Sequence, residues 1–502
     1  MKTILNEDFS CVLGVMKKQL GRYPTGNDVS RYAQILKSGG VSTVMINPCG
    51  QISYIPSKTI EDYESRYNKT EVDGVPVDFK ESGVPSFLHH LYENGENHYA
   101  IFFRELGRLG IERGFSIRMN DCHDPRREVA ISSLRSDFIH NARKNGMTVA
   151  SHREIVGYFD DTLDYAFPEV RKRICDYLSE QLPHYECEWI ELDFMRDPVC
   201  FKPGHEDEGR AHIRSLFREV RKIADRFENT WGHKVRLAIR TYPDPLNDRL
   251  SAFDAVGLAR EGLVDLVVPT GRFQSNVDNI PLAFWRELLP ENCLLAMGTE
   301  MCHRVLNYDW SLQPMRTPEH TYAMTHYAVS AGADAIYLFN DSLVVYPLFS
   351  EERAEYFRRL RNPESVALLP RRHTLGLSEC FPEGGFPYQP LPLKLEEYFF
   401  DGNIYPRLVF STGTPTGDMY VLLSVDTSPE DLSLYINASP VVFLGYTDVE
   451  PDFSKSPVLV YRAEKASLKA LRQVLEIRAF SHGHTVTFAE MRNTPPAVRE
   501  NP

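Results

Sequence analysis

Eight short apolar runs, separated by amphipathic stretches, limit the possible folds of this chain more than any other feature of its sequence. The runs are apolar throughout and do not alternate with polar residues, which is typical of parallel strands that helices cover on both faces. Eight strand–helix units in succession predict a (β/α)8 TIM barrel over residues 1–362, with a doubly wound sheet as the alternative. The runs occupy residues 3–6, 42–47, 114–120, 189–194, 235–242, 263–270, 294–300 and 335–340.

One of the intervening stretches, residues 206–227, has the clearest helical pattern. Its apolar residues recur three and four positions apart and therefore share one helix face: Ile213, Leu216, Phe217, Val220, Ile223 and Phe227. Gly232 is the expected end of this helix, because glycine readily adopts the left-handed conformation found there. The connections 49–113 and 121–188 exceed ordinary loops, so we expect them to contain helices and active-site walls.

The sequence pattern changes after residue 362. Prolines and the Pro-Glu-Gly-Gly-Phe-Pro segment at 382–387 predict a linker over residues 363–390. Six strand-like runs follow and predict a small C-terminal antiparallel β domain over residues 391–502. These runs occupy residues 407–411, 419–425, 432–436, 457–462, 474–479 and 485–488.

Charge and composition argue against several classes of protein. A formal net charge of -13 at pH 7 does not suit a nucleic-acid-binding protein, which needs a basic face. No run approaches the roughly 20 apolar residues that span a membrane, and the N-terminus lacks a secretory segment. The nine cysteines are scattered without Cys-x-x-Cys spacing, which favours a reduced compartment. We therefore expect a cytoplasmic protein without membrane or nucleic-acid partners.

Polar and charged side chains cluster where the predicted strands end, and in a (β/α)8 barrel these ends meet at one mouth. Four of them are arginines, which bind carboxylate or phosphate through paired hydrogen bonds. No Gly-rich phosphate loop follows any strand, so a small carboxylate is favoured over a nucleotide. The alternative is that individual arginines pair with neighbouring carboxylates as scaffold. The cluster comprises Asn6, Asp8, Asn47, Arg118, Asn120, Asp121, His123, Glu191, Asp193, Arg196, Arg240, Tyr242, Arg272, Glu300, Asn340 and Asp341.

Several of these segments resemble glycoside hydrolase family 156, whose members are inverting exo-sialidases (neuraminidases) on a (β/α)8 barrel with a C-terminal β domain. The resemblance covers the whole barrel, and the order and approximate separations of the segments agree. The similar segments are Leu-Asn-Glu-Asp at 5–8, Arg-Met-Asn-Asp-Cys-His at 118–123, Leu-Asp-Phe-Met-Arg at 192–196, Leu-Phe-Asn-Asp at 338–341, Leu-Asp-Tyr-Ala-Phe-Pro-Glu-Val-Arg at 163–171 and Phe-Lys-Pro-Gly at 201–204.

The resemblance implies that Asp8 and His123 form the catalytic pair. It further implies that Arg118 and Arg196 hold the carboxylate of sialic acid, while Asn340 contacts the sugar. The substrate would be a sialylated glycan or sialoside, and a homodimer is compatible with the family; we expect no metal and no cofactor. The expected substrate-binding set is completed by Asn120, Asp121, Asp193, Arg240, Tyr242 and Arg272.

The proposed pair suits the chemistry of a sialoside. The anomeric carbon carries a carboxylate, which would repel an anionic nucleophile as an oxocarbenium-like transition state forms. A neutral imidazole can accept a proton from the attacking water without adding a second negative charge, so His123 is the expected base. Asp8 either orients His123 or protonates the leaving oxygen. Glu7 directly precedes Asp8 and competes for its role.

Three other readings of the same residues remain open. A retaining barrel glycosidase would use two glutamates, with Glu191 as acid and Glu300 as nucleophile. A catalytically inactive carbohydrate-binding barrel would need only the arginines. A metal-dependent hydrolase lacks the usual His-x-His or His-Glu-x-x-His spacing; its ligands would be His123, His152, His205 and Asp193.

Overall fold

Eight parallel strands form a closed barrel, which confirms the predicted fold class. The computed structural model describes residues 1–72, 74–122, 131–149, 161–272, 275–303, 314–376, 390–395, 405–481 and 483–501. Each barrel strand pairs with its neighbours along the chain, and the last pairs with the first, so the sheet closes without an edge. The strands are β1 Lys2–Asp8, β2 Thr43–Asn47, β3 Glu112–Arg118, β4 Trp189–Asp193, β5 Arg236–Thr241, β6 Leu266–Pro269, β7 Leu294–Thr299 and β8 Ala335–Phe339.

Helices follow the strands and surround the barrel. The long connections after β2 and β3 contain additional helices, as expected from their length. The helices are α1 Phe9–Leu20, α2 Gly26–Gly39, α3 Tyr63–Tyr67, α4 Gly83–Tyr92, α5 His98–Arg108, α6 Asp137–Lys144, α7 Pro168–Gln181, α8 Glu206–Trp231, α9 Pro245–Leu250, α10 Ala255–Arg260, α11 Leu282–Leu288, α12 Pro318–Ser330, α13 Glu351–Arg361 and α14 Pro363–Leu368.

Helix α8 confirms the strongest helical prediction and extends it by one turn. Within its apolar stripe, Ile213, Leu216 and Val220 are fully buried against the barrel, whereas Phe227 near the end of the helix is partly buried. The helix ends at Gly232, which has a φ of 76° and donates its backbone N–H to the carbonyl of Glu228. Phe227 was the last apolar residue of the stripe, but only the left-handed glycine stops the helix.

Alternate residues of the barrel strands face its interior, where a small apolar cluster includes Ile4, Met45, Trp189 and Tyr337. The interior is narrow beside Gly114, where a Cβ atom would lie 2.0 Å from the Met45 sulfur. Residues two positions apart on a strand lie on the same face of the sheet. The polar residues at even spacing after these apolar residues therefore face the barrel interior or its mouth.

The C-terminal strands form two antiparallel sheets, which confirms the predicted β domain. The larger sheet has the order β9-β18-β12-β16-β15, with β10 also on β18, and the smaller has the order β11-β17-β13-β14. The strands are β9 Arg372–Thr374, β10 Leu393–Leu395, β11 Arg407–Ser411, β12 Met419–Val425, β13 Leu432–Ile436, β14 Ser439–Pro440, β15 Val442–Thr447, β16 Val458–Ala463, β17 Arg472–Ala479 and β18 His484–Arg492.

The segment 363–390, predicted as a linker, contains helix α14 and strand β9, and its residues 377–389 lie outside the described part. The β domain packs on the barrel near α12. Asn279 donates its amide to the Val409 carbonyl at 2.6 Å, and the His320 ring hydrogen-bonds with Thr374 at 2.9 Å.

In the described ranges, no helix combines the length and apolar character needed to cross a membrane. Seven cysteines in these ranges are free thiols: Cys11, Cys49, Cys122, Cys175, Cys187, Cys200 and Cys293.

Candidate functional site at the barrel mouth

Four predicted site residues come together where β1, β3 and β4 end. We call Asp8, Arg118, Asp121 and Arg196 the mouth cluster. Arg118 donates one Nη to Asp8 Oδ2 and the other to Asp121 Oδ2, the latter at 3.0 Å. Arg196 Nε lies 3.7 Å from the second oxygen of Asp121. Two guanidinium groups therefore converge on one carboxylate. Asp8, Arg118 and Asp121 are each at least nine-tenths buried.

Asn340 links the mouth cluster to the last barrel strand. Its amide donates to Asp8 Oδ2 at 2.8 Å, and its carbonyl oxygen accepts the Asp8 backbone N–H at 2.8 Å. The residue has a φ of 46°, a left-handed conformation that asparagine tolerates better than most side chains. This turn directly after β8 aims the Asn340 amide back across the mouth at Asp8.

One oxygen of the Asp8 carboxylate is not used by the described residues. Oδ2 accepts from Arg118 and Asn340, whereas the buried Oδ1 has no hydrogen-bond partner among them. A buried carboxylate oxygen without a partner is costly, and such groups concentrate at functional sites. Asp8 can therefore offer Oδ1 to a hydroxyl, a water or a proton at the mouth.

Electrostatics keep Arg118 charged despite its burial. Burial alone would lower its pKa, but Asp8 and Asp121 outweigh that effect and hold the pKa well above its ordinary value.

Gly50, in the loop after β2, makes room for the Asp121 carboxylate, because a Cβ atom there would lie 2.6 Å from Asp121 Oδ2. Gln51 donates its amide to the Asp121 backbone carbonyl and accepts the Ser136 N–H at 3.1 Å.

Arg240 and Asp193 pair with each other deeper in the barrel. Arg240 donates one Nη to both Asp193 oxygens, at 2.9 and 3.1 Å, and the other to Glu300. Its guanidinium also lies 4.3 Å from the centre of the Phe339 ring. All three charged side chains are only 1% exposed. Arg240, Asp193 and Glu300 thus form a buried ion triad. This arrangement agrees with the alternative that individual arginines pair with neighbouring carboxylates as scaffold.

Arg272 and Asn120 hold the loops around the mouth. Arg272 donates to Asp197 Oδ1 at 2.9 Å, and the other Asp197 oxygen accepts the Cys122 backbone N–H at 2.6 Å. Asn120 donates to the Val199 carbonyl at 2.9 Å and accepts the Leu163 N–H at 2.9 Å. These contacts tie together the loops that follow β3, β4 and β6.

The aromatic ring of Tyr242, predicted to contact substrate, stacks on Phe253 with centroids 5.8 Å apart. Both rings belong to the large apolar core between the strands and the surrounding helices. This position gives Tyr242 a packing role in that core.

Glu191 and Glu7 do not join the mouth cluster. Glu191 points into the barrel, where its Oε1 accepts from Asn6, Ser116 and Tyr337 at 2.6 to 2.8 Å. Burial, reinforced by Asp193, raises the pKa of Glu191 to about 7. Glu7 faces outward and accepts the Ser342 hydroxyl at 2.6 Å.

Of the three histidines predicted as catalytic or metal-binding residues, the structure describes His205. His123 and His152 lie outside the described residues. The His205 side chain is 62% exposed at the start of α8, 3.7 Å from Glu208, whereas Asp193 is buried inside the barrel. His205 and Asp193 therefore do not form the metal site that one reading of the sequence required.

Sequence reasoning missed Gly50, Gln51 and Asp197. Gly50 and Gln51 sit in a loop after β2 that carries no charge pattern, so nothing local distinguished them. Asp197 directly follows Arg196, and its place in the charged strand-end segment was an available signal.

No protein-family model matches the sequence, and no curated protein matches it. Among solved structures, the chain is similar to α-L-fucosidase isoenzyme 2 from Paenibacillus thiaminolyticus, with 10% identity and a TM-score of 0.42 over 74% of this chain and 51% of that one. The chain thus spans about half the length of that fucosidase.

Two further solved structures are similar at the same level. The α-amylase from Geobacillus thermoleovorans, complexed with acarbose, has 12% identity and a TM-score of 0.41 over 96% of this chain and 99% of that one. The PgaB (BpsB) glycoside hydrolase domain from Bordetella bronchiseptica has 11% identity and a TM-score of 0.42 over 72% and 98%.

Proposed function

We propose that this chain is a glycoside hydrolase, an exo-sialidase that releases terminal sialic acid with inversion at the anomeric carbon. The observation that carries the proposal is the mouth cluster: Arg118 and Arg196 converge on Asp121, beside an Asp8 carboxylate whose Oδ1 accepts no hydrogen bond from the described residues. Such a site joins cationic groups for an anionic sugar to an acid–base group for glycoside cleavage.

The arginines divide into two groups with different roles. Arg240 donates both Nη groups to Asp193 and Glu300 inside the barrel, and Arg272 donates to Asp197. Arg118 contacts both Asp8 and Asp121, and Arg196 lies beside Asp121; these two arginines are assigned to the substrate carboxylate. Asp8 and Asp121 fix the plane of the Arg118 guanidinium where β1 and β3 end. A planar guanidinium that is already oriented suits bidentate carboxylate binding.

Asp8 is assigned to proton transfer or to orienting His123, and its unused Oδ1 supports either role. His123 enters the proposal through the family resemblance and its place two residues after Asp121. As a neutral base it would take a proton from the water that attacks the anomeric carbon. The site would then need no second carboxylate at a carbon that already bears one.

A retaining mechanism through Glu191 and Glu300 receives less support. Glu191 is enclosed by three hydrogen-bond donors below the mouth, and Glu300 is bound by Arg240. A retaining enzyme needs both carboxyl groups beside the same anomeric carbon. Asp8 Oδ1, by contrast, accepts no hydrogen bond from the residues that the structure describes.

The test compares hydrolysis of an aryl α-sialoside with hydrolysis of neutral aryl glycosides. We expect turnover of the sialoside and little of the neutral substrates, because only the sialoside carries a carboxylate for Arg118 and Arg196. The Arg196→Lys variant should raise KM for the sialoside, since lysine cannot replace a bidentate guanidinium. Preferred turnover of neutral glycosides would contradict the proposal. Sialoside binding without any turnover would instead indicate a carbohydrate-binding barrel.

A further inference from the structure

We propose a site for a divalent transition metal, of the zinc class, on helix α4, which shares no residue with the mouth cluster. His89, His90 and Glu93 each offer one ligand atom, and these three atoms lie within 4.8 Å of one another. Glu93 directly follows the last turn of α4, so it stands four and three residues after the two histidines. That spacing brings all three side chains to one end of the helix.

The His89 ring is already held in a metal-binding orientation. Its Nδ1 hydrogen-bonds with Glu64 Oε2 at 2.7 Å, which leaves Nε2 as the ligand atom. A carboxylate behind a histidine ligand is the usual arrangement in zinc sites, where it fixes the ring and makes it more basic. Tyr67 stacks on the same ring with centroids 3.8 Å apart and an interplanar angle of 11°. Both helices α3 and α4 therefore contribute to the site.

The donor set decides the class of ion. Two imidazoles and one carboxylate suit Zn²⁺ and its transition-metal neighbours, whereas Ca²⁺ and Mg²⁺ prefer oxygen ligands alone. His90 Nδ1 and Glu93 Oε1 are 3.2 Å apart, so a metal ion would replace the proton that these two groups share. Water would complete the four-coordinate shell.

A metal at this site would fix the His89 ring against Glu64 and Tyr67 of α3 and so steady the loops that α3 contacts. Arg66 of α3 is fully buried and donates to the Ser132 carbonyl at 3.0 Å and to the Ser133 carbonyl at 3.2 Å. Ser136, further along the same loop, contacts Gln51 behind Asp121. The metal would thus act on stability and on loop order and would take no part in the reaction.

Calorimetric titration of Zn²⁺ into tag-free protein, stripped with chelator, tests the site. We expect one saturable ion per chain and a thermal shift to higher Tm, because the ion binds only the folded arrangement. His90→Ala should abolish binding, and Glu64→Gln should weaken it by roughly 10- to 100-fold as the loss of a positioning carboxylate. Hydrogen exchange of residues 131–136 should slow on zinc addition.

His233→Ala is the matched control, since His233 is a part-exposed histidine paired with Glu186 at 3.1 Å on another surface. It should leave zinc binding unchanged. Three results would overturn the proposal: no saturable binding by the wild-type protein, unchanged binding by His90→Ala, or an equal loss in His233→Ala. Sialoside turnover does not enter this test, so its outcome is independent of the proposed hydrolase function.

Discussion

At the scale of single residues, Glu7 and Asp8 show how strand geometry selects a functional group. The two acids are adjacent in β1, so their side chains leave opposite faces of the sheet. Asp8 enters the mouth beside Arg118, while Glu7 is held outside the barrel by Ser342. Of the two acids, only Asp8 belongs to the mouth cluster, and this supports the proposed assignment of the catalytic role to Asp8.

Replacing Asp8 by Asn should lower kcat for a sialoside by roughly 10²- to 10⁴-fold, the usual contribution of a general acid or base. Asparagine keeps the size of the side chain but loses the charge and the proton affinity of Oδ1. The measurement is steady-state hydrolysis of an aryl sialoside. Glu7→Gln is the neighbouring control and should retain kcat. Equal activity of Asp8→Asn and wild type would remove Asp8 from the mechanism.

Gly50→Ala should raise KM, because the new Cβ would stand 2.6 Å from Asp121 Oδ2 and push that carboxylate off Arg118. Substrate-saturation kinetics will detect the change. Gly14 in α1 has nothing within 4 Å of its Cβ position, so Gly14→Ala serves as the matched control. That control should keep KM and gain up to about 1 kcal/mol of stability. A Gly50→Ala variant with unchanged KM would show that Asp121 does not position the guanidiniums.

Arg240→Ala should cost about 3–5 kcal/mol of unfolding free energy, because it leaves Asp193 and Glu300 buried without their cation. Urea denaturation measures the loss. Arg358→Ala removes an arginine whose side chain is 40% exposed and which pairs with Glu351 and Glu355 at the surface. It should cost no more than about 1 kcal/mol. Similar losses in both variants would contradict the buried scaffold role of Arg240.

At the scale of elements, the barrel strands and helix α8 were predictable because their patterns are local. A strand buried on both faces is apolar throughout. In a surface helix, apolar residues recur three and four positions apart, which matches the helical turn. The loops that complete the site lack such a period. Gly50 and Gln51 acquire their roles only because the β2 loop packs behind Asp121, a residue about 70 positions away. Contacts of that kind depend on the folded chain and leave no local pattern.

Gly232→Ala tests the prediction for the end of α8. The glycine has a φ of 76°, a conformation that costs an alanine roughly 1–2 kcal/mol. We expect that loss in thermal or urea unfolding, with kcat and KM unchanged, because the helix end lies away from the mouth cluster. A fully stable Gly232→Ala variant would mean that the helix can end in another way.

At the scale of the whole molecule, several buried acids make stability depend on pH. Burial raises the pKa of Glu7, Glu191 and Asp248 to about 7, above their ordinary values of 4.5, 4.5 and 3.8. Between about pH 4 and pH 7, these carboxyl groups therefore stay protonated in the folded protein but are ionised in the unfolded chain. Their stabilising contribution is complete below the ordinary pKa values and is lost as the pH rises through 7. Glu490 acts in the opposite sense at acidic pH, since Arg372 and His320 hold its pKa well below the ordinary value despite burial.

We therefore expect the urea midpoint to fall between pH 5 and pH 8. A carboxyl whose pKa rises from 4.5 to about 7 accounts for a change on the order of 3 kcal/mol. Glu7→Gln should flatten the pH profile by up to that amount, because glutamine does not titrate. An unchanged profile in Glu7→Gln would show that this carboxyl is ionised in the folded protein.

The most direct test of the central claim is a proton NMR time course of an aryl α-sialoside with the wild-type protein. The cluster of Arg118, Arg196 and Asp8 predicts cleavage in which β-sialic acid appears first, followed by slow equilibration of the two anomers. Asp8→Asn should give no such signal on the same timescale. Early appearance of α-sialic acid would instead require a covalent intermediate, and an intact substrate after long incubation would contradict the sialidase proposal itself.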